Sequence, residues 1–394
     1  ISNRLKSLSE SATLAMAVKA RELQAQGHKV IKLNLGEPDF QTPLHIKEAA
    51  KQALDDGYTF YPPVSGYPEL RQAIADKLHR DNQLAYQPAQ IVVSTGAKQS
   101  LANLMLALLN PEDEVIIFTP YWVTYIEQVK MAEGNPVLLK GGLENDFKIT
   151  PGQLQKAITP KTRAVLFSSP CNPTGSVYTH EELAGLAAVL EQHPDVLAIS
   201  DEIYEYINFE GQHQSIAAFE SIADRVVIVN GFSKGFAMTG WRLGYMAAPA
   251  WLAKACDKVQ GQVTSGACSI TQRAAIAALN GDMSFTEEMR RAYLRRRDYV
   301  KKRLDAMPGI KTNEPKGAFY IFPDVSGYFG KSDGETTISD SYDFTMYLLN
   351  QAHVALVNGA AFGADECVRI SFAASDEDLA EAMDRMEKAL GKLK

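Results

Sequence analysis

The sequence predicts an α/β protein with a large domain built on a mostly parallel, doubly wound sheet and a smaller α/β domain. The chain has 394 residues, which is longer than one hydrophobic core usually supports. From about residue 90 onward, short β-branched runs alternate with segments of helical apolar spacing, an order typical of doubly wound sheets. After Gln272 this alternation gives way to a long charged segment, which indicates a second unit.

The alternating region predicts strands and helices in a regular order. The predicted strands are Gln90–Ser94, Glu114–Phe118, Arg163–Phe167, Val196–Ser200, Arg225–Val229 and Gly244–Ala247. The predicted helices are Lys98–Leu109, Glu181–Glu191 and Trp251–Gln260. Because ligands of such sheets bind at the carboxyl ends of the strands, residues that follow the strands are the candidates for a site.

The last part of the chain predicts the smaller domain. Glu287–Leu304 has the spacing of one long charged helix. Three further strands are predicted at Gly317–Val325, Val354–Val357 and Cys367–Phe372. We therefore assign residues 46–290 to the large domain and residues 291–394 to the smaller one.

The N-terminal segment, residues 1–45, is expected to cross over and join the smaller domain. Within it Leu33–Gly36 is predicted to be extended. Pro38 and Pro43 disfavour a helix at this point, because proline lacks the backbone N–H that a helix interior needs.

The composition is that of an ordinary globular protein without a nucleic-acid or membrane partner. A formal net charge of −7 gives no basic surface for nucleic acid. No apolar run approaches the 18 or so residues that a membrane span needs. The four cysteines form no C-x-x-C pair and the seven histidines lack ligand spacing. We therefore expect a cytoplasmic protein with reduced thiols and no metal site.

Polar residues follow the predicted strands where a ligand would bind. Asp201 and Tyr204 come after one strand, and Lys234 lies just beyond the next. Ser94–Ala97 joins a strand to a helix, where backbone N–H groups can hold a phosphate, and Arg242 could add a bidentate contact. Singly, each has a simpler explanation, such as a helix N-cap for the aspartate. Together they outline the phosphate clamp, acid and amine that a phosphorylated aldehyde cofactor requires.

Six motifs resemble those of the class I aminotransferases, fold type I enzymes that use pyridoxal 5′-phosphate (PLP). Ser233–Gly244 is similar to the lysine signature of this family, Ser169–Gly175 to its asparagine motif and Ser200–Tyr204 to its aspartate–tyrosine motif. The remaining three are Tyr61–Gly66, Pro120–Trp122 and Val368–Ser371. Their order and spacing resemble the aspartate aminotransferases of the bacterial and thermophile-type branch.

The resemblance implies a role for each residue that would contact the cofactor ring. Lys234 would carry PLP as a Schiff base and act as the general base. Asp201 would pair with the pyridine nitrogen and keep it protonated. Tyr204 and Asn172 would hydrogen-bond the ring oxygen, and Trp122 would stack on the ring.

The phosphate would be held by residues from the strand–helix turn and from the lysine signature. They are Gly96, Ala97, Lys98, Ser233 and Arg242, together with Tyr61 of a neighbouring subunit, so the resemblance implies a homodimer. Many relatives have a serine or threonine where this chain has Gly231. Phosphate binding is therefore expected to depend more on Arg242 and the helix N-terminus.

The amino-acid substrate would be held by other groups in the same family pattern. Arg369 would bind the α-carboxylate through a bidentate contact, and Gly36 would line the substrate end through its backbone. No arginine lies between Arg242 and Arg273 to read a distal carboxylate. We expect Lys98 to do so, with aspartate as donor and 2-oxoglutarate as acceptor, although Lys98 could instead face the phosphate or solvent.

Several alternatives remain open on the sequence alone. The same cofactor residues would serve an aminotransferase for aromatic amino acids, one with prephenate as acceptor, a C–S lyase or an aminocyclopropane-forming enzyme. A PLP-binding transcriptional regulator is disfavoured, because only about 30 residues precede the first motif, too few for a DNA-binding domain. A nucleotide-binding enzyme is rejected, since no G-x-G-x-x-G or P-loop motif follows the first strand.

Overall fold

The architecture comes from a computed structural model, which describes residues 1–9 and 12–394. The helices are α1 (Asn3–Lys6), α2 (Ala12–Ala25), α3 (Leu44–Asp55), α4 (Pro68–Asn82), α5 (Ala97–Leu108), α6 (Thr124–Met131), α7 (Pro151–Ala157), α8 (His180–Glu191), α9 (Ala250–Val263), α10 (Ser269–Asn280), α11 (Ser284–Asp305), α12 (Ser341–Ala352) and α13 (Asp376–Leu390). The strands are β1 (Ile31–Lys32), β2 (Ile91–Ser94), β3 (Glu114–Thr119), β4 (Asn135–Lys140), β5 (Thr162–Ser168), β6 (Leu197–Asp201), β7 (Val226–Gly231), β8 (Gly244–Ala247), β9 (Tyr320–Ile321), β10 (Val354–Ala355), β11 (Val357–Asn358) and β12 (Val368–Ser371).

The central sheet contains seven strands within the described residues, in the order β2-β8-β7-β6-β5-β3-β4. The pairs from β7 to β4 are parallel, whereas β8 is antiparallel to both of its neighbours. In the parallel part Ser168 lies opposite Asp201, which lies opposite Val229. This register brings the carboxyl ends of β5, β6 and β7 to one edge. The predicted α/β fold with a mostly parallel sheet is confirmed.

Both faces of this sheet are covered by hydrophobic residues, as alternation along β7 shows. Val226 and Ile228 pack into the core on one face, while Val227 and Val229 pack into the core on the other. Successive side chains of a strand point to opposite faces. A strand buried on both faces therefore appears in the sequence as a continuous apolar run, which is why these strands could be predicted.

A second core surrounds the smaller sheets. Strands β11, β12 and β9 form an antiparallel sheet, and β1 pairs in parallel with β10, with Ile31 opposite Val354. The N-terminal segment thus contributes a strand beside the C-terminal part of the chain. The predicted boundary between residues 290 and 291 falls inside α11, whose Met289 and Tyr293 pack into this same core. The domain boundaries remain a prediction.

Two strand predictions need correction. The segment predicted as one strand from Gly317 to Val325 forms a ladder only at β9, with isolated bridges at Gly317 and Asp324. Near its start Ala318 has a φ of +55°, which interrupts an extended strand. The predicted strand Val354–Val357 is divided between β10 and β11, which pair with different partners.

One strand of the central sheet was missed altogether. β4 pairs only with β3 at the edge of the central sheet, and its residues are exposed or half-buried. Its sequence, Asn-Pro-Val-Leu-Leu-Lys, contains a proline, which is tolerated on edge strands but counts against a strand in a sequence pattern. No helix among residues 1–9 and 12–394 is long and apolar enough to cross a membrane.

Candidate active site

A cavity of about 450 Å³ opens at the carboxyl ends of β5, β6 and β7. Ser168 and Asp201 are the last residues of their strands, and Lys234 follows the end of β7. All residues proposed from the sequence line this cavity except Gly96 and Tyr61. The predicted residues that line it are Gly36, Ala97, Lys98, Trp122, Asn172, Asp201, Tyr204, Ser233, Lys234, Arg242 and Arg369.

The amine of Lys234 is held inside the cavity. Its Nζ donates a hydrogen bond to the Gly36 carbonyl, from the N-terminal segment. The rings of Phe319 and Tyr204 lie 5.8 and 5.9 Å from Nζ. Burial, and after it the positive charge of Arg369, lower the pKa of Lys234 to about 8. A larger fraction of this amine is therefore unprotonated near neutral pH than in an ordinary lysine, as a nucleophile or base requires.

Asp201 has a buried carboxyl group that accepts hydrogen bonds from two donors. Its Oδ2 accepts from the Tyr125 hydroxyl at 2.6 Å, and its Oδ1 from the Ile203 backbone N–H at 3.2 Å. Burial raises its pKa to about 6. The sequence analysis missed Tyr125, which lies three residues after Trp122. Their rings meet edge to face at 5.6 Å, a contact that i,i+3 neighbours readily make.

The N-terminus of α5 forms the part of the site that is suited to bind a phosphate. Gly96 caps this helix with a φ of +80°, and a Cβ there would lie 2.5 Å from Nη2 of Arg242. Glycine is thus needed both for the backbone conformation and for the approach of the guanidinium group. Nη1 of Arg242 donates to the Thr239 carbonyl at 3.0 Å. Backbone N–H groups and a guanidinium therefore point to one place, as in anion sites.

The packing around Gly231 leaves no room for a side chain. A Cβ at Gly231 would lie 2.7 Å from the Cα of Gly244 on the neighbouring strand β8. A serine or threonine could be accommodated only if these two strands moved apart. The close approach also brings Gly244 against Ala97, where a Cβ would lie 2.3 Å from the backbone nitrogen.

Arg369 is a buried guanidinium with unused hydrogen-bonding capacity. Nη1 donates to Oδ1 of Asn172 at 2.9 Å, and Nη2 donates to the Asn34 carbonyl at 2.8 Å. The guanidinium carbon Cζ of Arg369 lies 4.5 Å from the centre of the Tyr320 ring and 5.0 Å from the centre of the Phe362 ring. Nε is buried without a hydrogen-bond partner in the described part of the chain. Because arginine has five N–H donors, this arrangement can bind a carboxylate.

Lys98 and Trp122 lie together on another part of the cavity wall. Nζ of Lys98 is 5.0 Å from the Trp122 ring, within cation–π range. Partial desolvation, and after it the charge of Arg242, lower the pKa of Lys98. Its side chain nevertheless remains open to solvent in the single chain. Lys98 thus lies in the first turn of α5, beside the anion site, and also on the cavity wall.

Tyr204 and Tyr320 form a buried pair that the sequence analysis did not anticipate. Their hydroxyl oxygens are 2.8 Å apart. Burial, and after it the Tyr320 hydroxyl, raise the pKa of Tyr204 far above its usual value, so it is a neutral donor. Tyr320 lies in the continuous buried run Ala318–Phe322. Such a run lacks the alternation that would have indicated a residue facing the site.

Tyr61 lies outside the cavity in the single chain. Its side chain is 95% exposed, next to Phe60 at 83%. The following prolines pack near Gly266, where a Cβ would lie 2.8 Å from Pro62. Two adjacent aromatic side chains with such exposure are unusual on a protein surface unless something else covers them.

A second polar cluster follows Asp201 directly. One carboxylate oxygen each of Glu202 and Glu205 and one ring nitrogen of His213 lie within 4.8 Å of one another. Lys77 forms an ion pair with Glu205, and Glu202 accepts hydrogen bonds from two serines besides facing His213. Protein groups therefore compensate these buried carboxylates. The cluster fixes the segment between Asp201 and Tyr204 to the surrounding structure.

Comparison with known proteins agrees with this geometry. The family model for aminotransferase class I and II matches residues 28–386. An aspartate/prephenate aminotransferase of Cereibacter sphaeroides is 48% identical over 390 residues, 98% of each chain. An aspartate aminotransferase of Bacillus subtilis is 45% identical and covers 100% of this chain and 99% of its own.

A solved structure extends the likeness to three dimensions. The aspartate aminotransferase from Rhizobium meliloti superposes with a TM-score of 0.97 at 43% identity, covering 100% of this chain and 99% of that one. The similarity thus spans the central sheet, the smaller sheets and the cavity. The chain belongs to the class I and II aminotransferases and is an enzyme that transfers amino groups.

Proposed function

We propose that this enzyme uses PLP to transfer the amino group of aspartate to a 2-oxo acid, with 2-oxoglutarate as the main acceptor. The observation that carries the proposal is the pairing of Lys234, an amine with a lowered pKa, with the buried acid Asp201 in one cavity. Two guanidinium groups line the same cavity: that of Arg242, suited to a phosphate, and that of Arg369, suited to a carboxylate.

The residues present fit PLP. Backbone N–H groups at the start of α5, Ser233 and Arg242 would hold the phosphate, since the first N–H groups of a helix have no partners within it. Asp201 would accept a hydrogen bond from the protonated ring nitrogen. Asn172 uses its Oδ1 to accept from Arg369, which leaves its amide N–H₂ to donate to the ring oxygen together with Tyr204.

The protein groups divide the work of transamination among them. When bound, PLP supplies the electron sink that stabilises negative charge at the substrate Cα. Arg369 binds the α-carboxylate and holds the substrate beside Lys234. Nζ of Lys234 would take the proton from the substrate Cα and, as the general acid, deliver it to C4′ of the cofactor, the carbon of its aldehyde group; a pKa near neutrality suits both steps. Asp201 holds the proton at the ring nitrogen throughout.

Aspartate as donor is supported by the relatives and by Lys98. Both relatives described above carry aspartate in their names. Lys98 is an ammonium group at the cavity wall, suited to a distal carboxylate. Prephenate is a second candidate acceptor, because the relative at 48% identity is named an aspartate/prephenate aminotransferase. Purified enzyme assayed with a panel of donors, and with 2-oxoglutarate and prephenate as acceptors, would test both proposals.

Lys98→Ala is expected to lower kcat/KM for aspartate by about tenfold to a hundredfold. A hydrogen bond to a charged group typically contributes about 1.5–3 kcal/mol, and that contact would be lost. Alanine and phenylalanine as donors should lose far less, because they have no distal carboxylate. Steady-state kinetics with the three donors measures the difference. Equal losses for all of them would place Lys98 on the phosphate.

The rate at which PLP-free enzyme captures PLP covalently is expected to rise about tenfold per pH unit below pH 8 and to level off above it. Only the unprotonated amine attacks an aldehyde, and the lowered pKa of Lys234 makes this form dominant above about pH 8. An ordinary lysine titrates near 10.4, so N-acetyl-lysine should show no plateau in this range. Stopped-flow absorbance measures both. A rate still rising through pH 9.5 would contradict the lowered pKa.

We also propose that the active form is a homodimer in which Tyr61 reaches the partner's phosphate site. The exposure of Phe60 and Tyr61 supports it. Mixed dimers of Tyr61→Phe and Lys234→Ala chains should recover about half the wild-type activity per dimer. In such a dimer one site combines an intact Lys234 with an intact Tyr61 only if Tyr61 acts across the interface.

Activity of the hybrids is measured at limiting PLP, where loss of a phosphate contact has most effect. Unmixed Tyr61→Phe and Lys234→Ala dimers are the controls. The activity of each dimer is divided by its number of intact Lys234 residues. If this value is no higher for the mixed dimers than for the Tyr61→Phe dimer, Tyr61 does not act across the interface. A fully active monomer in analytical ultracentrifugation would contradict the dimer itself.

A further inference from the structure

We propose that Tyr320 is a positioning residue that strengthens the hydrogen bond donated by Tyr204, and thereby sets the proton affinity of Nζ of Lys234 in the PLP-bound enzyme. The inference rests on the proposed use of PLP and adds a residue that the family motifs of this chain did not indicate. It is carried by the buried contact between the two hydroxyl groups.

The hydroxyl of Tyr320 has a single hydrogen-bond partner in the described part of the chain, the hydroxyl of Tyr204 at 2.8 Å. Each tyrosine has one proton to donate. If Tyr204 gives its proton to the ring oxygen of PLP, then Tyr320 is left to donate to Tyr204. The two hydroxyls then form a chain directed toward the cofactor, in which each hydrogen bond polarises the next.

Packing fixes the Tyr320 hydroxyl in this position. The side chain is fully buried, and its ring supports the Arg369 guanidinium from 4.5 Å. On another side the hydroxyl lies against Gly36, where a Cβ would come within 2.5 Å of it. Phe319 lies 4.8 Å away, ring to ring. The hydroxyl therefore cannot turn to solvent when Tyr204 changes its acceptor.

The consequence for Lys234 has a definite sign. A strong hydrogen bond to the ring oxygen favours negative charge on that oxygen. It therefore favours loss of the proton from the nearby Nζ of Lys234. Removing the Tyr320 hydroxyl weakens the donor at Tyr204, so Nζ holds its proton to higher pH. The ring of a phenylalanine would still support Arg369, which separates this effect from α-carboxylate binding.

The test is a pH titration of the visible absorbance of the holoenzyme, which reports the proton at Nζ of Lys234. Tyr320→Phe is expected to raise the midpoint by about 0.5–1 pH unit, the size expected for one hydrogen bond. Tyr204→Phe should raise it further. The double variant should match Tyr204→Phe alone, because Tyr320 acts only through Tyr204.

Two further variants control for structural effects. Tyr347→Phe removes another buried tyrosine hydroxyl, which donates to the Ala389 carbonyl at 3.0 Å in the smaller core, and should leave the midpoint unchanged. Tyr320→Leu removes ring and hydroxyl together. It should shift the midpoint as Tyr320→Phe does, and should also raise KM for the amino acid because Arg369 loses its support.

An unchanged midpoint in Tyr320→Phe and Tyr320→Leu, with wild-type enzyme showing a normal titration, would overturn the role of Tyr320 alone. So would additive shifts in the double variant. Failure of the wild-type protein to bind PLP covalently would instead overturn the proposed function. The two failures are therefore distinguishable in one series of measurements.

Discussion

Replacement of Lys234 by alanine is expected to reduce transamination by about ten-thousandfold or more. The variant loses a general base, which alone typically contributes about 10²- to 10⁴-fold, and the amine that binds the cofactor covalently. No other described amine in the cavity can substitute, because Nζ of Lys98 is directed to the Trp122 ring. PLP should still bind without a covalent bond, through Arg242 and the start of α5.

Single-turnover kinetics and labelling provide the measurement. Borohydride treatment of wild-type holoenzyme, followed by peptide mapping, should place a phosphopyridoxyl group on Lys234. The Lys98→Ala variant is the matched control, since it lacks a different lysine of the same cavity and should be labelled at the same position. A label on any other lysine of the wild-type enzyme would refute the assignment.

Arg369→Lys is expected to lower kcat/KM for every amino-acid donor by about a hundredfold to a thousandfold. Truncating one partner of a buried, hydrogen-bonded charge pair costs about 2–5 kcal/mol. Lysine keeps the charge but cannot form the bidentate contact, because an ammonium that donates to the Asn34 carbonyl and to Oδ1 of Asn172 has only one N–H left for the substrate. Unlike Lys98→Ala, the loss should be equal for aspartate and alanine, because both have an α-carboxylate.

The control is Arg297→Lys, which changes a buried arginine outside the cavity that donates to the Pro315 carbonyl at 2.8 Å. It should leave the donor kinetics near wild type. The affinity for PLP should be unchanged in Arg369→Lys, measured by equilibrium dialysis. A loss confined to aspartate would mean that Arg369 reads the distal carboxylate, and the substrate assignments would have to be exchanged.

The sequence by itself determined the buried strands of the central sheet and the residues at their ends, but not the edge strand β4. Strands such as β6 and β7 are buried on both faces, so their apolar runs are visible without knowledge of their neighbours. The doubly wound topology then places strand-end residues at one edge. The order of residues along the chain is therefore enough to propose Asp201 and Lys234 for one site.

Only the tertiary structure decided which groups hold these residues in place. Arg369 donates to the Asn34 carbonyl across 335 residues of chain, and Tyr320 reaches Tyr204 across 116. Whether Gly231 could be a serine depends on its distance from Gly244. Contacts of this kind depend on how separate elements pack, whereas local sequence encodes only propensity and periodicity. Short sequence motifs were thus enough to propose the chemistry of the site. The hydrogen bonds that position its residues join distant parts of the chain, so only the folded structure shows them.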